Sequence, residues 1–362
     1  MSDAGREIRA LTGVRAAAAV WVLLYHLRDD LFVLCPALRP LDGLFSVGYL
    51  GVDVFFVLSG FILSLNYTDA FAEVRPGAYL AFLRKRLARI YPVHLFTLSL
   101  LAAAFGLGLS VSSDPHSHDR VDLLLNLLLV HDWADRLSWN LVSWSISAEW
   151  FAYLLFPWAA GRIGRIPSAA LAWMGAALAF AGMEILFAVF FPGSGGTTAH
   201  GGLIRVSGEF FAGCFLARVH RLAPPPEWAA RLAAPAICAF VASWALVGKP
   251  SPLVVALFGP LVLALAGSTG GLSGLLASRP LVYGGRISYS LYMTHAIFIS
   301  RFRSLFPPAR WAGAALPARV GLIALELGVA WLVADLTFRL VEEPCRRWLS
   351  ARQGRTGLAV ST

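Results

Sequence analysis

Charge is what this chain has least of. Only 14% of its 362 residues are Asp, Glu, Lys or Arg, against 58% hydrophobic, and a composition so apolar excludes an ordinary soluble globular protein. Cysteine is sparse as well: Cys35, Cys214, Cys238 and Cys345 show no CxxC spacing, so neither a disulfide framework nor a zinc site is expected. Acidic residues are outnumbered, 21 against 30 Lys and Arg. That excess does not point to nucleic acid, because the arginines lie mainly between apolar runs, where orientation in a membrane explains them. No internal repeat or added soluble domain is evident. No cleavable signal peptide is expected either, since the first apolar segment contains Arg15 and leads straight into further spans.

What is present in abundance is the apolar run of membrane-crossing length. The sequence predicts an all-α polytopic membrane protein of about ten transmembrane helices around a central pore-like cavity. The spans fall near 9–28, 47–67, 90–111, 141–160, 168–191, 203–219, 232–247, 252–267, 286–306 and 319–340. Most Lys and Arg then lie in loops on the side of the two termini, which the positive-inside rule assigns to the cytoplasm. The segment 121–131 is apolar but too short to cross, and is expected to lie at the outer interface or to dip in and return. Residues 82–92 read as an inner loop, 193–202 as a flexible outer one, and Pro344 as the stop of the last span. The domain expectation is a membrane domain over 1–345 with a short cytoplasmic tail, 346–362.

Ionisable residues inside such spans are costly and point to function by default. Arg15 and His26, eleven residues apart on the first span, return to one helix face about 16 Å apart along its axis. His26 reads as functional; Arg15 reads either as functional or as a snorkelling side chain. Asp53 lies about a third of the way down the second span and needs a partner there, His26 being a natural one, unless it only caps the helix start. Ser59 and Gly60 beside it suit close packing. Arg86 and Arg89, one helical turn apart, suit a multiply charged phosphate ligand, while the bland reading is a topology signal that also binds anionic lipid, and taken alone the pair does not decide between them. Glu149 sits near mid-membrane between Trp144 and Trp150, and His295 at mid-depth with Ser288 and Tyr292 on nearly the same face. Glu342 or Glu343 is placed to pair with the inner arginines. The HSHD run at 116–119 is a weak metal candidate, and no metal is expected. Two layers emerge: His26, Asp53, Glu149 and His295 further out, and Arg15, Arg86, Arg89 and Arg286 inside with Glu342 or Glu343. An enzyme that takes a phosphate-bearing donor from the cytoplasm and serves an acceptor further out has this arrangement. A proton-coupled secondary transporter is the rival class.

Six ordered motifs resemble the acyltransferase 3 family of membrane O-acyltransferases. They are the Arg-X10-His pair Arg15 and His26; GxDxFFxxSGF at 51–61; RxxR at Arg86 and Arg89; SWSxSxE at 143–149; SYSLYxxH at 288–295; and Glu342-x-Pro344. One departure is Thr12, where the family usually shows Asp. The resemblance implies transfer of an acyl group from cytoplasmic acyl-CoA, in particular acetyl-CoA, a co-substrate and not a resident cofactor, to an acceptor hydroxyl. It implies catalytic roles for His26, Asp53, Glu149 and His295, donor binding by Arg15, Arg86, Arg89 and Arg286, and support from Glu342, Glu343, Ser59 and Tyr292. His26 would act as general base or carry the acyl group itself. The acceptor would be a glycan or glycosylated metabolite or, in the alternative, a macrolide-type antibiotic acylated at the cytoplasmic face. The expected setting is the cytoplasmic membrane.

Overall fold

The computed structural model describes residues 7–109, 119–136, 138–192, 201–247 and 252–355, and among them every regular element is helical. The principal helices are α1 (Arg9–Leu34), α2 (Gly51–Tyr67), α3 (Pro76–Gly106), α4 (Arg120–Leu127), α5 (Trp144–Ile163), α6 (Ala169–Phe190), α7 (Gly202–Leu222), α8 (Glu227–Val247), α9 (Pro252–Ala266), α10 (Arg279–Leu305), α11 (Leu316–Thr337) and α12 (Glu343–Arg355). Each predicted span has a helix. Among the described residues six stretches qualify by length and apolarity to cross a membrane: Arg9–Leu34, Gly48–Tyr67, Pro76–Gly106, Ala169–Phe190, Glu227–Val247 and Leu316–Leu349. The others are shorter or too polar; α7, for instance, carries Arg205, Glu209, Arg218 and Arg221.

Two boundaries differ from expectation. The run 82–92 is not a loop but lies inside the 31-residue α3. Leu, Arg, Lys and Ala there are strong helix formers, and Pro92 removes only one main-chain bond, so the helix runs through it. Pro344 does not stop the last span. A π-helical turn, Phe338–Glu342, follows α11, and α12 starts at Glu343. Pro344 therefore falls in a first turn where its missing N–H costs little.

The chain forms two compact units. Unit 1 comprises residues 1–18, 50–83 and 148–286, and unit 2 comprises 19–49, 84–147 and 287–362, so α1, α3, α5 and α10 contribute to both. In unit 1 an aromatic core of Phe61, Phe71, Phe82, Phe156 and Phe210 is fully buried. Beside it α2 meets α7 backbone to backbone: a Cβ at Gly60 would stand 1.8 Å from the Phe210 carbonyl oxygen, and one at Gly213 would stand 2.2 Å from that of Val57. Small residues at such crossings are how helices approach closely without a hydrophobic drive from lipid. In unit 2, Leu34, Phe302 and Leu322 join the ends of α1, α10 and α11, while Leu98, Leu101 and Trp139 pack the C-terminal part of α3 against the 138–143 segment.

Candidate active site

Unit 2 brings His26 of α1 against His295 of α10, with ring centroids 4.8 Å apart. His26 Nδ1 lies 2.9 Å from the Val22 carbonyl and 3.2 Å from His295 Nε2. His295 Nδ1 in turn lies 2.6 Å from the Tyr292 carbonyl and 3.2 Å from that of Leu291. A carbonyl oxygen only accepts, so both Nδ1 atoms carry the proton. It follows that His295 Nε2 is a lone-pair acceptor for His26 Nδ1–H, and that the lone pair of His26 is on Nε2. The chain thus presents one histidine, half-buried, as an oriented base, and a second, 1% exposed, as the group that orients it.

The same α10 reaches the arginine layer within unit 2. Ser290 Oγ donates to Glu342 Oε2 at 2.6 Å, and Glu342, 1% exposed, pairs through Oε1 with Arg89. The Arg89 guanidinium also lies 5.5 Å from the centre of the Tyr289 ring, a cation–π distance. Ser290 and His295 are five residues apart, about 7.5 Å along the helix axis. One rigid element therefore sets the spacing between the Arg89 pair and the histidine pair. Arg86, one turn before Arg89, is half-buried. Glu343 is taken by Arg346 and Arg347, so of the two candidate acids it is Glu342 that meets the RxxR arginine.

Tyr292 belongs to the frame. Its hydroxyl contacts Ser145 Oγ at 2.9 Å and donates to the Val142 carbonyl at 2.9 Å. The 119–147 region adds a buried polar lattice: Asn140 donates to the Met293 carbonyl, Asn126 accepts from Trp139 N–H, and His94 donates to the Asn126 carbonyl. His131, in the loop after α4, stacks parallel to His94 at 6.3 Å. Burial, and the neighbouring His94, push its imidazole down to about 3.

In unit 1 the Asp53 carboxylate is gripped by Arg205 of α7 through three bonds of 2.6, 2.7 and 3.2 Å. Arg205 is the partner the depth of Asp53 required; the sequence reading had offered His26. Glu209, one turn along α7, is completely buried. Glu149 Oε1 accepts from Ser59 Oγ and from Tyr153 OH, each at 2.6 Å. Arg15 lies with its guanidinium 6.0 Å from the Phe55 ring centre, and Arg286 pairs with Glu7 at 3.3 Å. His116 and His118 lie outside the described residues; among those described no group of three metal-ligating side chains gathers.

Arg205, Glu209, Tyr153, Ser290, Asp30 and Arg303 escaped the sequence reading. The signal for two of them was there: Arg205 and Glu209 stand at i and i+4 in an otherwise apolar run, the same anomaly that singled out Asp53.

Comparison with known proteins fits this chemistry. The chain is 30% identical to acyltransferase MdmB of Streptomyces mycarofaciens, over 96% of this chain and 94% of that protein. It is 21% identical to O-acetyltransferase OatA of Staphylococcus aureus, over 94% of this chain but 58% of OatA. A shorter match, 37% identical over 26% of this chain, joins it to protein 2 in the picA locus of Rhizobium radiobacter, over 44% of that protein. No solved structure matches. The acyltransferase 3 family model, described as an acyltransferase domain, matches residues 8–335, and the chain belongs to that family.

Proposed function

We propose that this membrane protein transfers an acyl group from cytoplasmic acyl-CoA to a hydroxyl of a glycan or glycosylated metabolite, with His26 as the general base. The observation that carries the reading is the contact of each Nδ1 in the His26–His295 pair with a main-chain carbonyl, from which it follows that Nε2 of His26 keeps its lone pair. In the reaction Nε2 takes the acceptor's hydroxyl proton as that oxygen bonds to the thioester carbonyl carbon. The C–S bond then breaks, and the proton passes from Nε2 to the leaving thiolate, giving ester and free CoA. The imidazolium formed on the way shares its Nδ1–H with Val22 and His295. A positioned base of this kind contributes a factor on the order of 10²–10⁴.

Arg86 and Arg89 are the donor's phosphate contacts in this reading, with Glu342 and Ser290 fixing the face that Arg89 presents; Arg15 and Arg286 contribute further positive charge. Asp53 and Glu149, with Ser59, hold the polar interior of unit 1. The setting is the cytoplasmic membrane, with ten crossings and both termini inside. O-acetyl transfer, as in the name of OatA, makes acetyl-CoA the first donor to test. The end-to-end match to acyltransferase MdmB supports completion of the transfer by the membrane domain itself. The second reading is a small acceptor, such as a macrolide, taken at the cytoplasmic face. Membership of an acyltransferase family weighs against the transporter reading.

Sealed, oriented vesicles decide the matter. With acetyl-CoA inside, a membrane-impermeant glycoside outside should become acetylated, and the His26→Ala protein should bind CoA yet transfer nothing. Transfer only to an acceptor on the CoA side moves the chemistry to the cytoplasmic face; near wild-type transfer by His26→Ala removes the base from the mechanism.

A further inference from the structure

One turn beyond His26, α1 makes a second polar contact with α10 inside unit 2. Asp30 stands four residues on, on the same helix face, and is 6% exposed. Its Oδ2 accepts from Arg303 Nε at 2.5 Å. The Nη2 of the same guanidinium donates to the main-chain carbonyl of His26 at 2.8 Å. A helical carbonyl at 26 accepts within the helix from the N–H of residue 30, so Arg303 occupies its second lone pair. Glu326 of α11, 2% exposed, faces this pair and interacts electrostatically with both members. A turn further, Leu34 packs on Phe302 and Leu322. His26, Asp30 and Leu34 thus form one stripe of α1 docked on α10 and α11.

Two contacts fix what one leaves free. The ring contact to His295 alone lets α1 pivot and slide against α10. Arg303 stands eight residues after His295, about 12 Å along the axis, and its hold on Asp30 and on the His26 carbonyl removes that freedom. Partner numbers rise together on both helices, 26 with 295 and 30 with 303, so the two run in the same direction here.

We propose that Arg303, itself held by Asp30, is a positioning residue for His26. It keeps α1 in the register in which His26 Nδ1–H meets Val22 and His295. Arginine suits the task because its planar fork bridges a carboxylate and a carbonyl at once, whereas a lysine ammonium lacks that fixed geometry. The proposal rests on the reading of His26 as the base.

The test uses the full-length protein in vesicles, with Arg303→Gln, Arg303→Lys, Asp30→Asn and the Asp30→Asn/Arg303→Gln double variant. Arg303→Gln should lower kcat on the order of a hundredfold, the effect of displacing a reacting group by about 1 Å. KM for acetyl-CoA and for the acceptor should stay within about twofold. Arg303→Lys should recover part of the loss, and the double variant should be no worse than Arg303→Gln alone, because Asp30 acts through Arg303. A second readout needs no turnover: carbethoxylation of His26 by diethyl pyrocarbonate, followed by peptide mass spectrometry, should be faster in Arg303→Gln than in wild type. A raised KM with kcat intact, additive losses, or unchanged His26 reactivity overturns the proposal. If Arg303→Gln does not fold, Arg303→Lys and Asp30→Asn decide by the same measurements. Should His26→Ala prove active, the base assignment falls, while the reactivity measurement still decides whether Arg303 holds His26.

Discussion

Replacing Arg205 by Met is the sharpest perturbation of the fold. The two side chains of the Asp53–Arg205 pair are 3% and 5% exposed and joined at 2.6 Å, with two further bonds to Asp53 Oδ1. Removing the guanidinium leaves the carboxylate buried without its counter-charge, beside the completely buried Glu209. Breaking a buried pair from one side costs about 3–5 kcal/mol, most of it the price of the stranded charge. Asp53→Asn strands Arg205 in the same way and should cost a similar amount. The double variant Asp53→Asn/Arg205→Met strands neither, so it should be more stable than Arg205→Met alone, with a coupling energy near the upper end of about 0.5–3 kcal/mol. Reversible unfolding of the purified protein in mixed micelles, followed by tryptophan fluorescence, gives all four corners of the cycle. Strictly additive losses would refute the reasoning, because they would mean that the two groups do not depend on each other.

Three other outcomes follow from the geometry. Gly60→Ala should destabilise by about 3 kcal/mol or more, at or above the usual cost of overpacking, because its Cβ would stand 1.8 Å from a main-chain oxygen of α7 that cannot swing away; yield and thermal stability in detergent report it. His295→Leu should lower kcat by a factor on the order of 10² with CoA affinity unchanged, while His295→Asn, whose side-chain oxygen still accepts from His26 Nδ1–H, should lose less; equal losses would assign His295 to packing alone. For His131 the folded imidazole titrates near 3 and the unfolded one near 6.5, so unfolding takes up a proton between these values and stability falls as pH drops from 6.5 toward 3. His131→Gln should therefore gain on wild type progressively over that window and no further below it, measured as denaturation midpoints across a pH series.

What the sequence disclosed was whatever a single helix can state about itself. Arg15 and His26 do share one unbroken helix, 9–34, because the spacing and the apolar run are local properties. The helices also fall where the hydropathy placed them. The partners were only partly legible: an acid at 342 or 343 is expected against the inner arginines, and Glu342 does meet Arg89 across 253 residues, but Asp53 meets Arg205 across 152 residues, and no periodicity encodes which helix faces which. The run at 82–92 misled for a related reason. Its charge density resembles a loop when read by hydropathy, yet Arg89 is a helix former whose charge is neutralised by an acid from the far end of the chain. Pro344 misled because the sequence gives no warning of the π turn that precedes it.

The pairing pattern bears on why His26 is answered by a histidine and not by a carboxylate. Asp53 with Arg205, Glu342 with Arg89 and Asp30 with Arg303 each oppose a full positive to a full negative charge. Such pairs are worth keeping where the charges are permanent, since either member alone would be expensive to bury. In its proposed role as a base His26 is different, because its charge would appear only while it holds the substrate's proton. A carboxylate behind His26 would be a permanent buried negative charge, repaid only during that interval. His295 gives the same hydrogen-bond acceptor without it: its Nε2 fixes the tautomer of His26 while the resting pair stays neutral in an apolar setting. A neutral acceptor holds the proton of an imidazolium less firmly than a carboxylate does. In the proposed thioester transfer that would be an advantage, because the same nitrogen would hand its proton to a thiolate before the next cycle could begin.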